Sequence, residues 1–253
     1  MVQKISINKN NISTNSYFDF NYFFKRKTKF FNLSNIYENK VILITGAGGS
    51  IGSNIVLQLL KTKFGKLILI ENSEFNLYEL SNKINFKNTQ NVIFKLTNFS
   101  NEYDMKILFQ NYKVDIIFHT AAYKHVPLIE SNPYAAITNN FLNTHKFAQS
   151  VIKHKIPFFC LVSSDKAVRP TNVMGATKRL AELSMSFLNN DKSNKFTKFC
   201  SVRFGNVINS SGSVMPMFTK QIENNGPVTI THKDIIRYFM TIPEACQLVL
   251  QAS

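Results

Sequence analysis

The sequence contains no tryptophan and only three cysteines among its 253 residues. Cys160, Cys200 and Cys246 lie in apolar runs, without the C-x-x-C spacing of zinc ligands and without the pattern of a disulfide framework. We therefore expect reduced, buried thiols in a cytoplasmic protein, and we expect no metal site.

Long apolar runs are also absent. No stretch approaches the roughly 18 residues that a membrane-spanning helix needs, and the N-terminus lacks an apolar core followed by a cleavage site. We therefore expect neither a membrane span nor secretion. Hydrophobic residues still make up 44% of the chain, which is enough for a packed core, and the length suits one large domain.

Acidic residues are scarce, since 15 Asp and Glu face 30 Lys and Arg and leave a formal charge of +15. Such a balance is found in nucleic-acid-binding proteins. Here the lysines are scattered along the whole chain among many Asn, Ile and Phe, and they form no basic stripe. We interpret the excess as compositional bias, predict no nucleic-acid partner, and expect some attraction of an anionic substrate.

The first 39 residues differ from the rest of the chain. Residues 1–16 are polar and rich in Asn, which predicts disorder. Residues 17–31 (YFDFNYFFKRKTKFF) mix aromatic and basic side chains. That mixture suits an arm packed on the domain, or alternatively a segment at a membrane surface. We predict an N-terminal arm over 1–39 and one domain over 40–253.

From Lys40 onward, apolar β-branched runs alternate with helical stretches. The predicted strands cover 41–45, 67–70, 92–96, 114–119, 158–163 and 199–203. The main predicted helices cover 51–60, 103–112, 134–154 and 173–188. Buried strands that alternate with helices indicate an α/β fold with a doubly wound, parallel, Rossmann-type sheet.

A glycine-rich segment, TGAGGSIG (45–52), stands where the first strand meets the first helix. Its glycines let the backbone approach a pyrophosphate, which rests on the helix N-terminus. The acidic Glu71 ends the second strand, where a carboxylate binds ribose hydroxyls and repels a 2′-phosphate; the alternative is a solvated strand end. Together these features predict NAD rather than NADP. The predicted contacts in the loop are Gly46, Gly49, Ser50, Ile51 and Gly52.

Two polar segments follow neighbouring strands at the edge where open α/β sheets bind ligands. They are HTAAYKHVP (119–127) and SSDKA (163–167). Asp165 and Lys166 supply an acid and a base there, and Lys178 follows twelve residues after Lys166 on a predicted helix. The alternative interpretation of Asp165 and Lys166 is a solvated surface pair.

These segments resemble the polysaccharide-biosynthesis nucleotide-sugar 4,6-dehydratases of the extended short-chain dehydrogenase superfamily. The matching stretches are TGAGGSIGS (45–53), HTAAYKHVPLIE (119–130), SSDKAVRPTNVMGATKR (163–179), VRFGNVINSSGSVMPMF (202–218) and IIRYFMTIPEACQLVLQA (235–252). The resemblance covers about 21–253. The family has Tyr or Met four positions before the helix lysine, and Met174 places this chain in the branch whose longer members carry an N-terminal membrane region.

The resemblance implies the catalytic groups. They are Ser164 (with Ser163 as the alternative serine), Asp165, Lys166, Met174 and Lys178. Lys166 is the implied base at C5 of the sugar, Asp165 the acid for the departing C6 hydroxyl, and Lys178 the contact to the nicotinamide ribose. Methionine cannot accept a proton from a sugar hydroxyl, so Asp165 and Lys166 carry more of the proton transfer.

The implied reaction converts UDP-N-acetylglucosamine into a 4-keto-6-deoxy sugar. C4 is oxidised, water leaves across C5–C6, and C6 is reduced, so NAD is regenerated. The implied substrate contacts are Lys124, His125, Asn206, Ser211, Gly212, Ser213 and Arg237. Further implied cofactor contacts are Asn98, where the family usually has an acid, and Ala121 and Ala122. Residues 205–240 are expected to contribute to the substrate site.

Relatives in this family continue past the position of Ser253 and carry a front half that this chain lacks. We therefore expect a shortened form with a small, truncated C-terminal substrate lobe, and a homo-oligomer. Two further hypotheses remain open: a non-catalytic NAD-binding remnant, and a UDP-sugar C4 epimerase. Met174 argues against the epimerase.

Overall fold

The computed structural model describes residues 3–5, 31–33, 35–84, 90–208, 210, 212, 214–230, 232, 234 and 236–253. Most of the predicted disordered stretch and the aromatic, basic segment 17–30 lie outside these residues. Phe31, at the end of that segment, is exposed. In the described part of the chain, no helix combines the length and apolar character needed to cross a bilayer.

Six parallel strands form the central sheet. They are β2 (Val41–Thr45), β3 (Lys66–Glu71), β4 (Val92–Leu96), β5 (Ile116–His119), β6 (Phe158–Val162) and β7 (Lys198–Val202). Their order across the sheet is β4-β3-β2-β5-β6-β7. This is the Rossmann order, with the reversal between β2 and β5, and it confirms the predicted fold class.

The helices follow the strands in alternation. They are α1 (Ser50–Leu59), α2 (Glu74–Lys83), α3 (Glu102–Asn111), α4 (Val126–Ser131), α5 (Pro133–Ala136), α6 (Thr144–Lys153), α7 (Val173–Asn190), α8 (Val214–Glu223) and α9 (Ile242–Gln251). The predicted single helix over 134–154 is interrupted, because a π-helical turn, Ile137–Asn143, joins α5 to α6. A 3₁₀ turn, Asp165–Ala167, follows β6.

Alternate side chains of the strands point to opposite faces, so the sheet carries two cores. On one face Leu43, Ile68 and Phe159 pack with apolar residues of α3, α6 and α7. On the other face Ile42 and Phe118 pack with α1 and α9. Helices therefore cover both faces, as a parallel sheet requires.

The cysteines are free thiols. Cys160 and Cys246 are buried as expected, whereas Cys200 is only partly buried. The expectation was wrong for Cys200 because β7 is the edge strand of the sheet and has no neighbour on its outer side.

A smaller lobe follows β7. In it β8 (Asn206–Val207) pairs in parallel with β10 (Phe239–Met240). β1 (Gln3–Ile5) pairs antiparallel with β9 (Val228–Ile230). The chain then returns to the main domain as α9, whose Gln247 Nε2 donates to Gln58 Oε1 of α1 at 2.6 Å.

Tyr37 fixes the residues before β2 to α9. Its hydroxyl donates to the Leu250 carbonyl at 2.5 Å and contacts Ser253 Oγ at 2.8 Å. The side chain is fully buried, and burial raises the pKa of Tyr37 to about 12. The neutral phenol is thus a firm link between the start and the end of the domain.

Candidate active site

A cavity of about 1280 Å³ lies at the carboxyl edge of the sheet, between the six strands and the smaller lobe. Its volume exceeds the roughly 300–1,000 Å³ of a typical small-ligand site, so it has room for two nucleotide-sized ligands. The predicted site residues that line it are Gly46, Gly49, Ser50, Ile51, Gly52, Ala122, Lys124, His125, Ser164, Lys166, Met174, Lys178, Asn206, Gly212 and Arg237. Glu71, Asn98, Ala121 and Asp165 do not line it. Ser211 and Ser213 lie outside the described residues.

The glycine-rich loop folds tightly against the sheet. Gly46 has a φ of +66°, and a Cβ there would lie 2.8 Å from the backbone of Ala121. A Cβ on Gly52 would lie 2.2 Å from the Gly46 carbonyl oxygen. Ala121 therefore supports the loop from below, and only glycine fits at these two positions.

The N-terminus of α1 opens into the cavity without a side-chain cap. Its N-cap residue is Gly49, and the first turn contains no acidic residue. By contrast, the N-caps of α2, α3, α7 and α9 each accept a backbone N–H with a side-chain oxygen. An uncapped helix N-terminus attracts an anion, so this end of the cavity fits a pyrophosphate.

We expect the Gly52→Ala variant to bind NAD at least 10-fold more weakly than the wild type, because the new methyl group would push the loop out of its anion-binding shape. The matched control is Gly226→Ala, where the nearest atom to a built Cβ is at an ordinary contact distance of 3.6 Å. Calorimetric titration with NAD measures both. Equal affinity for Gly52→Ala and the wild type would contradict the role of this loop.

Glu71 is buried, with 5% of its surface exposed, so the alternative of a solvated strand end is wrong. Its carboxylate accepts N–H groups from Gly48 at 3.0 Å, Asn72 at 3.0 Å and Ser73 at 3.1 Å. Glu71 thereby ties the glycine loop to the end of β3. Asn98 makes local contacts, because its Oδ1 accepts the N–H and the hydroxyl of Ser100, both at 3.0 Å.

Lys178 projects from the first turns of α7 into the cavity wall. It is 7% exposed, and its Nζ donates no side-chain hydrogen bond to another described residue. Burial lowers the pKa of Lys178 to about 8, although the charge of Glu182 acts in the opposite direction. Near neutral pH the group is therefore a buried cation that faces the cavity.

His119 ends β5 beneath this site. Its Nδ1 lies 2.7 Å from Thr45 Oγ1 and its Nε2 lies 3.0 Å from Thr144 Oγ1. Burial, and secondarily the charge of Lys178, lowers the pKa of His119 to about 3. The ring is thus a neutral structural link between two strands and a helix and takes no part in proton transfer near pH 7.

Asp165 and Lys166 form an ion pair at the end of β6. Lys166 Nζ lies 3.1 Å from Asp165 Oδ1 and donates to Asn206 Oδ1 at 3.2 Å. The Lys166 side chain is 28% exposed and the Asp165 side chain 46% exposed. Of the two, Lys166 lines the cavity and Asp165 does not. The pair is thus neither fully solvated nor buried, and Lys166 is the member that a ligand would touch.

The two serines that follow β6 differ in their contacts. Ser163 Oγ donates to Glu182 Oε1 at 2.6 Å and is buried. Ser164 Oγ donates to Asp165 Oδ1 at 3.0 Å and also accepts the Lys166 N–H at 3.3 Å. Ser164 therefore orders the turn that carries the ion pair, whereas Ser163, which also lines the cavity, has its hydroxyl bonded to Glu182.

Glu182 is a site-supporting residue that the sequence reasoning missed. Both of its carboxylate oxygens accept hydrogen bonds from Arg203, whose Nε donates at 2.7 Å. One of them also accepts a hydrogen bond from Arg179 Nη1 at 3.2 Å. Burial alone would raise its pKa, but the hydrogen bonds from Arg203, Ser163 and Arg179 outweigh burial and lower the pKa of Glu182. The spacing of four from Lys178 on one helix was the available signal.

Asn140 was also missed. It is fully buried in the π-helical turn, and its amide exchanges hydrogen bonds with the backbone of Tyr123, N–H to Oδ1 at 2.8 Å and Nδ2 to O at 2.9 Å. Nδ2 also donates to Thr177 Oγ1 at 3.2 Å. This residue therefore joins the loop after β5 to α7, one position before Lys178.

Other predicted site residues line the cavity from the loop after β5, from α7 and from the smaller lobe. Burial lowers the pKa of Lys124. The His125 ring packs on Gly212, where a Cβ would come within 2.2 Å of the ring carbon Cε1. Gly212 has a φ of +63°. Met174 is buried at 5% exposure among Ile129 and Ala136, and it also lines the cavity. Its side chain cannot accept a proton from a sugar hydroxyl.

Comparison with known proteins agrees with this geometry. A family model described as "Polysaccharide biosynthesis protein" matches residues 42–253. The capsular polysaccharide biosynthesis protein CapD of Staphylococcus aureus is 47% identical over 216 residues, which are 85% of this chain and 36% of CapD. A UDP-glucose 4-epimerase of Rickettsia bellii is 33% identical over 223 residues, which are 86% of this chain and 63% of the epimerase. The chain thus spans about a third to two thirds of the length of these relatives.

Solved structures agree on the fold. The X-ray structure of Pen from Bacillus thuringiensis matches with a TM-score of 0.78 at 35% identity, over 85% of this chain and 66% of Pen. DesIV, a dTDP-glucose 4,6-dehydratase from Streptomyces venezuelae solved with NAD and TYD, matches with a TM-score of 0.69 at 18% identity, over 82% of this chain and 70% of DesIV. The second likeness concerns the fold alone.

Proposed function

The chain belongs to the polysaccharide biosynthesis protein family, and we propose that it is a nucleotide-sugar 4,6-dehydratase that acts on UDP-N-acetylglucosamine with NAD. The observation that carries the proposal is the ion pair of Asp165 and Lys166 beside a cavity in which Met174 stands four residues before Lys178. That arrangement provides an acid and a base for elimination, and it has methionine instead of a proton-accepting tyrosine four residues before Lys178.

The cofactor assignment is supported by the glycine loop and by Glu71. The close-packed glycines and the uncapped N-terminus of α1 fit a pyrophosphate. The buried Glu71 carboxylate at the end of β3 disfavours the extra phosphate of NADP. Bound NAD would supply a hydride acceptor for C4 and a hydride donor for C6, with no net redox change.

The substrate assignment is supported by the cationic and polar side chains that line the cavity. Arg237 lines the cavity in the smaller lobe and has the geometry to bind a diphosphate through paired hydrogen bonds. Lys124 and Asn206 add a cation and an amide. The relatives' names mention capsular polysaccharide and UDP-glucose, which fits an anionic UDP-sugar in this half of the cavity.

The proposed proton transfers follow from the ion pair. Transfer of one proton from Lys166 Nζ to Asp165 Oδ1, over their 3.1 Å contact, leaves a neutral amine and a carboxylic acid. The amine then accepts the C5 proton, which the 4-keto group has made acidic. The carboxylic acid returns its proton, through Lys166, to the C6 hydroxyl as that group departs as water. Oxidation at C4 releases the hydroxyl proton to solvent, and C5 takes up one proton when C6 is reduced, so the protons balance. Asn206 holds the amine toward the cavity.

Lys178 has a separate role in this proposal. Its buried cation faces the cavity without a hydrogen-bond partner among the described residues, so it favours the loss of a proton from a nearby C4 hydroxyl and binds the ribose next to it. Asn140 and Thr177 hold the surrounding loop and helix in register.

The pH dependence of turnover tests this role. Because the protonated form of Lys178 is the active one and its pKa is about 8, we expect kcat to fall as the pH rises through about 8 and above. A Lys178→Met variant should have low residual activity, and that activity should not fall as the pH rises through about 8. If kcat of the variant still fell over the same pH range, the decrease would belong to a group other than Lys178.

A C4 epimerase is the second candidate, and the similarity to the Rickettsia enzyme supports it. Epimerisation requires hydride removal and return at C4 alone, so it gives the ion pair of Asp165 and Lys166 no function. The non-catalytic NAD-binding module is the third candidate. It predicts cofactor binding without turnover.

Incubation of the purified protein with UDP-N-acetylglucosamine and NAD, followed by mass spectrometry of the nucleotide sugar, tests the proposal. Loss of one water without net NADH supports the dehydratase. An isomeric product of unchanged mass supports the epimerase, and unchanged substrate together with measurable NAD binding supports the third candidate. We further propose a homo-oligomer in the cytoplasm.

A further inference from the structure

The fold concentrates positive charge at one edge of the central sheet. All six strands are parallel, so the residues just before each strand lie together at its amino edge, opposite the cavity. Within five residues before a strand, or at its first residue, the described chain has nine lysines and two acids. The lysines are Lys40, Lys61, Lys63, Lys66, Lys113, Lys153, Lys155, Lys195 and Lys198. These residues are scattered in sequence, and the topology brings them together.

The carboxyl edge provides the internal comparison. The last residue of each strand and the five that follow contain three cations and three acids, so their charges cancel. The overall excess of +15 is therefore unevenly distributed between the two edges. Compositional bias would affect both edges alike and does not explain this difference. Attraction of an anionic substrate does not explain it either, because these lysines lie at the edge of the sheet opposite the cavity.

The two acids of the amino edge are already partnered. Glu38 lies 3.6 Å from Lys63, and Asp115 accepts the Val41 N–H at 2.8 Å. Eight of the nine lysines are exposed, and Lys66 is partly buried with its Nζ over the ring of Tyr112 at 5.4 Å. Most of these charges are therefore available to an external anionic partner.

Exposed apolar side chains stand among these lysines. Phe196 is 62% exposed, and Lys155 Nζ lies over its ring at 5.3 Å. Ile36 is 48% exposed on the turn before β2. Lysines around a protruding aromatic ring suit the boundary between lipid headgroups and acyl chains, where the ring enters and the ammonium groups remain among phosphates.

We propose that the amino edge of the sheet docks on the surface of an anionic phospholipid bilayer. The six strands are spaced about 4.8 Å apart, so this edge is broad enough to contact several headgroups at once. All its cations are lysines, point charges that suit a fluid array of phosphates better than the bidentate pairing that arginine gives to nucleic acid. Docked this way, the cavity faces the aqueous phase and its nucleotide sugar.

Vesicle co-sedimentation of the full chain tests the proposal. The wild type should bind strongly anionic vesicles made of phosphatidylglycerol and phosphatidylcholine at a ratio of about 30:70. It should not bind vesicles of pure phosphatidylcholine. The triple variant Lys113→Glu, Lys155→Glu, Lys195→Glu should partition about 100-fold more weakly. The matched control reverses three exposed lysines elsewhere, Lys95, Lys106 and Lys146, and should lose less than about 5-fold.

Three outcomes would overturn the proposal. The two triple variants could lose vesicle affinity by the same factor, or the amino-edge variant could bind vesicles as tightly as the wild type. The third outcome is that the wild type binds duplex DNA more tightly than the anionic vesicles. Thermal melting of each variant shows that it is folded. A Phe196→Ser variant should lose vesicle affinity by a factor that added salt does not change, because the ring contributes through burial and not through charge.

Discussion

Replacing Lys166 by alanine should lower the turnover of UDP-N-acetylglucosamine by about 10³-fold, which is within the range that a positioned general base contributes. The variant loses the amine that lines the cavity and that Asp165 and Asn206 hold at 3.1 and 3.2 Å. Affinity for NAD should change by less than about 3-fold, because the glycine loop and the N-terminus of α1, which fit the pyrophosphate, are unchanged. Steady-state kinetics and NAD titration measure the two effects.

The Lys166→Arg variant separates a base from a mere cation. Arginine keeps the charge and can still pair with Asp165, but it does not lose its proton in proteins. We therefore expect Lys166→Arg to be nearly as inactive as the alanine variant, and a Lys106→Ala variant at an exposed site on α3 to retain full activity. If Lys166→Arg kept most of the wild-type turnover, the role of Lys166 as a base would be wrong.

Replacing Glu182 by leucine should lower the free energy of unfolding by about 3 kcal/mol, at the lower end of the range for a broken buried ion pair. The change leaves Arg203 and the Ser163 hydroxyl without their partner. The loss is not larger because the side chains of Arg179 and Arg203 are 41% and 39% exposed and can turn toward water. Urea unfolding measures the effect.

Glu223→Gln is the control for this prediction, because Glu223 is exposed at the end of α8 and its substitution should cost less than about 0.5 kcal/mol. The pH adds a second readout. Since the pKa of Glu182 is lowered in the folded state, its stabilisation is present above its ordinary value of 4.5 and is lost as the pH falls below it. A Glu182→Leu variant as stable as the wild type would show that the cluster is not structural.

The fold was accessible from sequence because its signals are local. Buried β-branched runs such as residues 41–45 and 67–70 predict parallel strands, and a glycine loop between strand and helix predicts the nucleotide end of the cavity. The π-helical turn Ile137–Asn143 could not be predicted, since its residues fit an uninterrupted helical pattern. Asn140 in this turn bonds to Tyr123 and Thr177, which are distant in the chain.

The supporting residues of the site were missed for a related reason. From sequence alone, Glu182 is expected to be one charge on a solvated helix face. In the structure it is buried and bonded to Arg203, which follows the next strand. Asp165 reads as an equal partner of Lys166, yet only Lys166 lines the cavity, because the 3₁₀ turn directs the two side chains differently. Contacts between segments distant in sequence decide both cases.

The lysines of the amino edge illustrate the same limit. Lys40, Lys113 and Lys195 are far apart in sequence, and the sequence alone does not group them. Only the parallel order of the strands gathers them at one edge. Charge patterning in a doubly wound sheet is therefore informative when it is read edge by edge, and much less so when it is read along the chain.

The most direct test of the proposed reaction uses UDP-N-acetylglucosamine that carries deuterium at C4, with NAD and the wild-type chain. The dehydratase account predicts a product that has lost one water and carries the deuterium at C6, because the hydride removed from C4 is returned there. A product of unchanged mass that keeps the deuterium at C4 would contradict the account and establish epimerisation. Recovery of untouched substrate from a chain that binds NAD would contradict it as well.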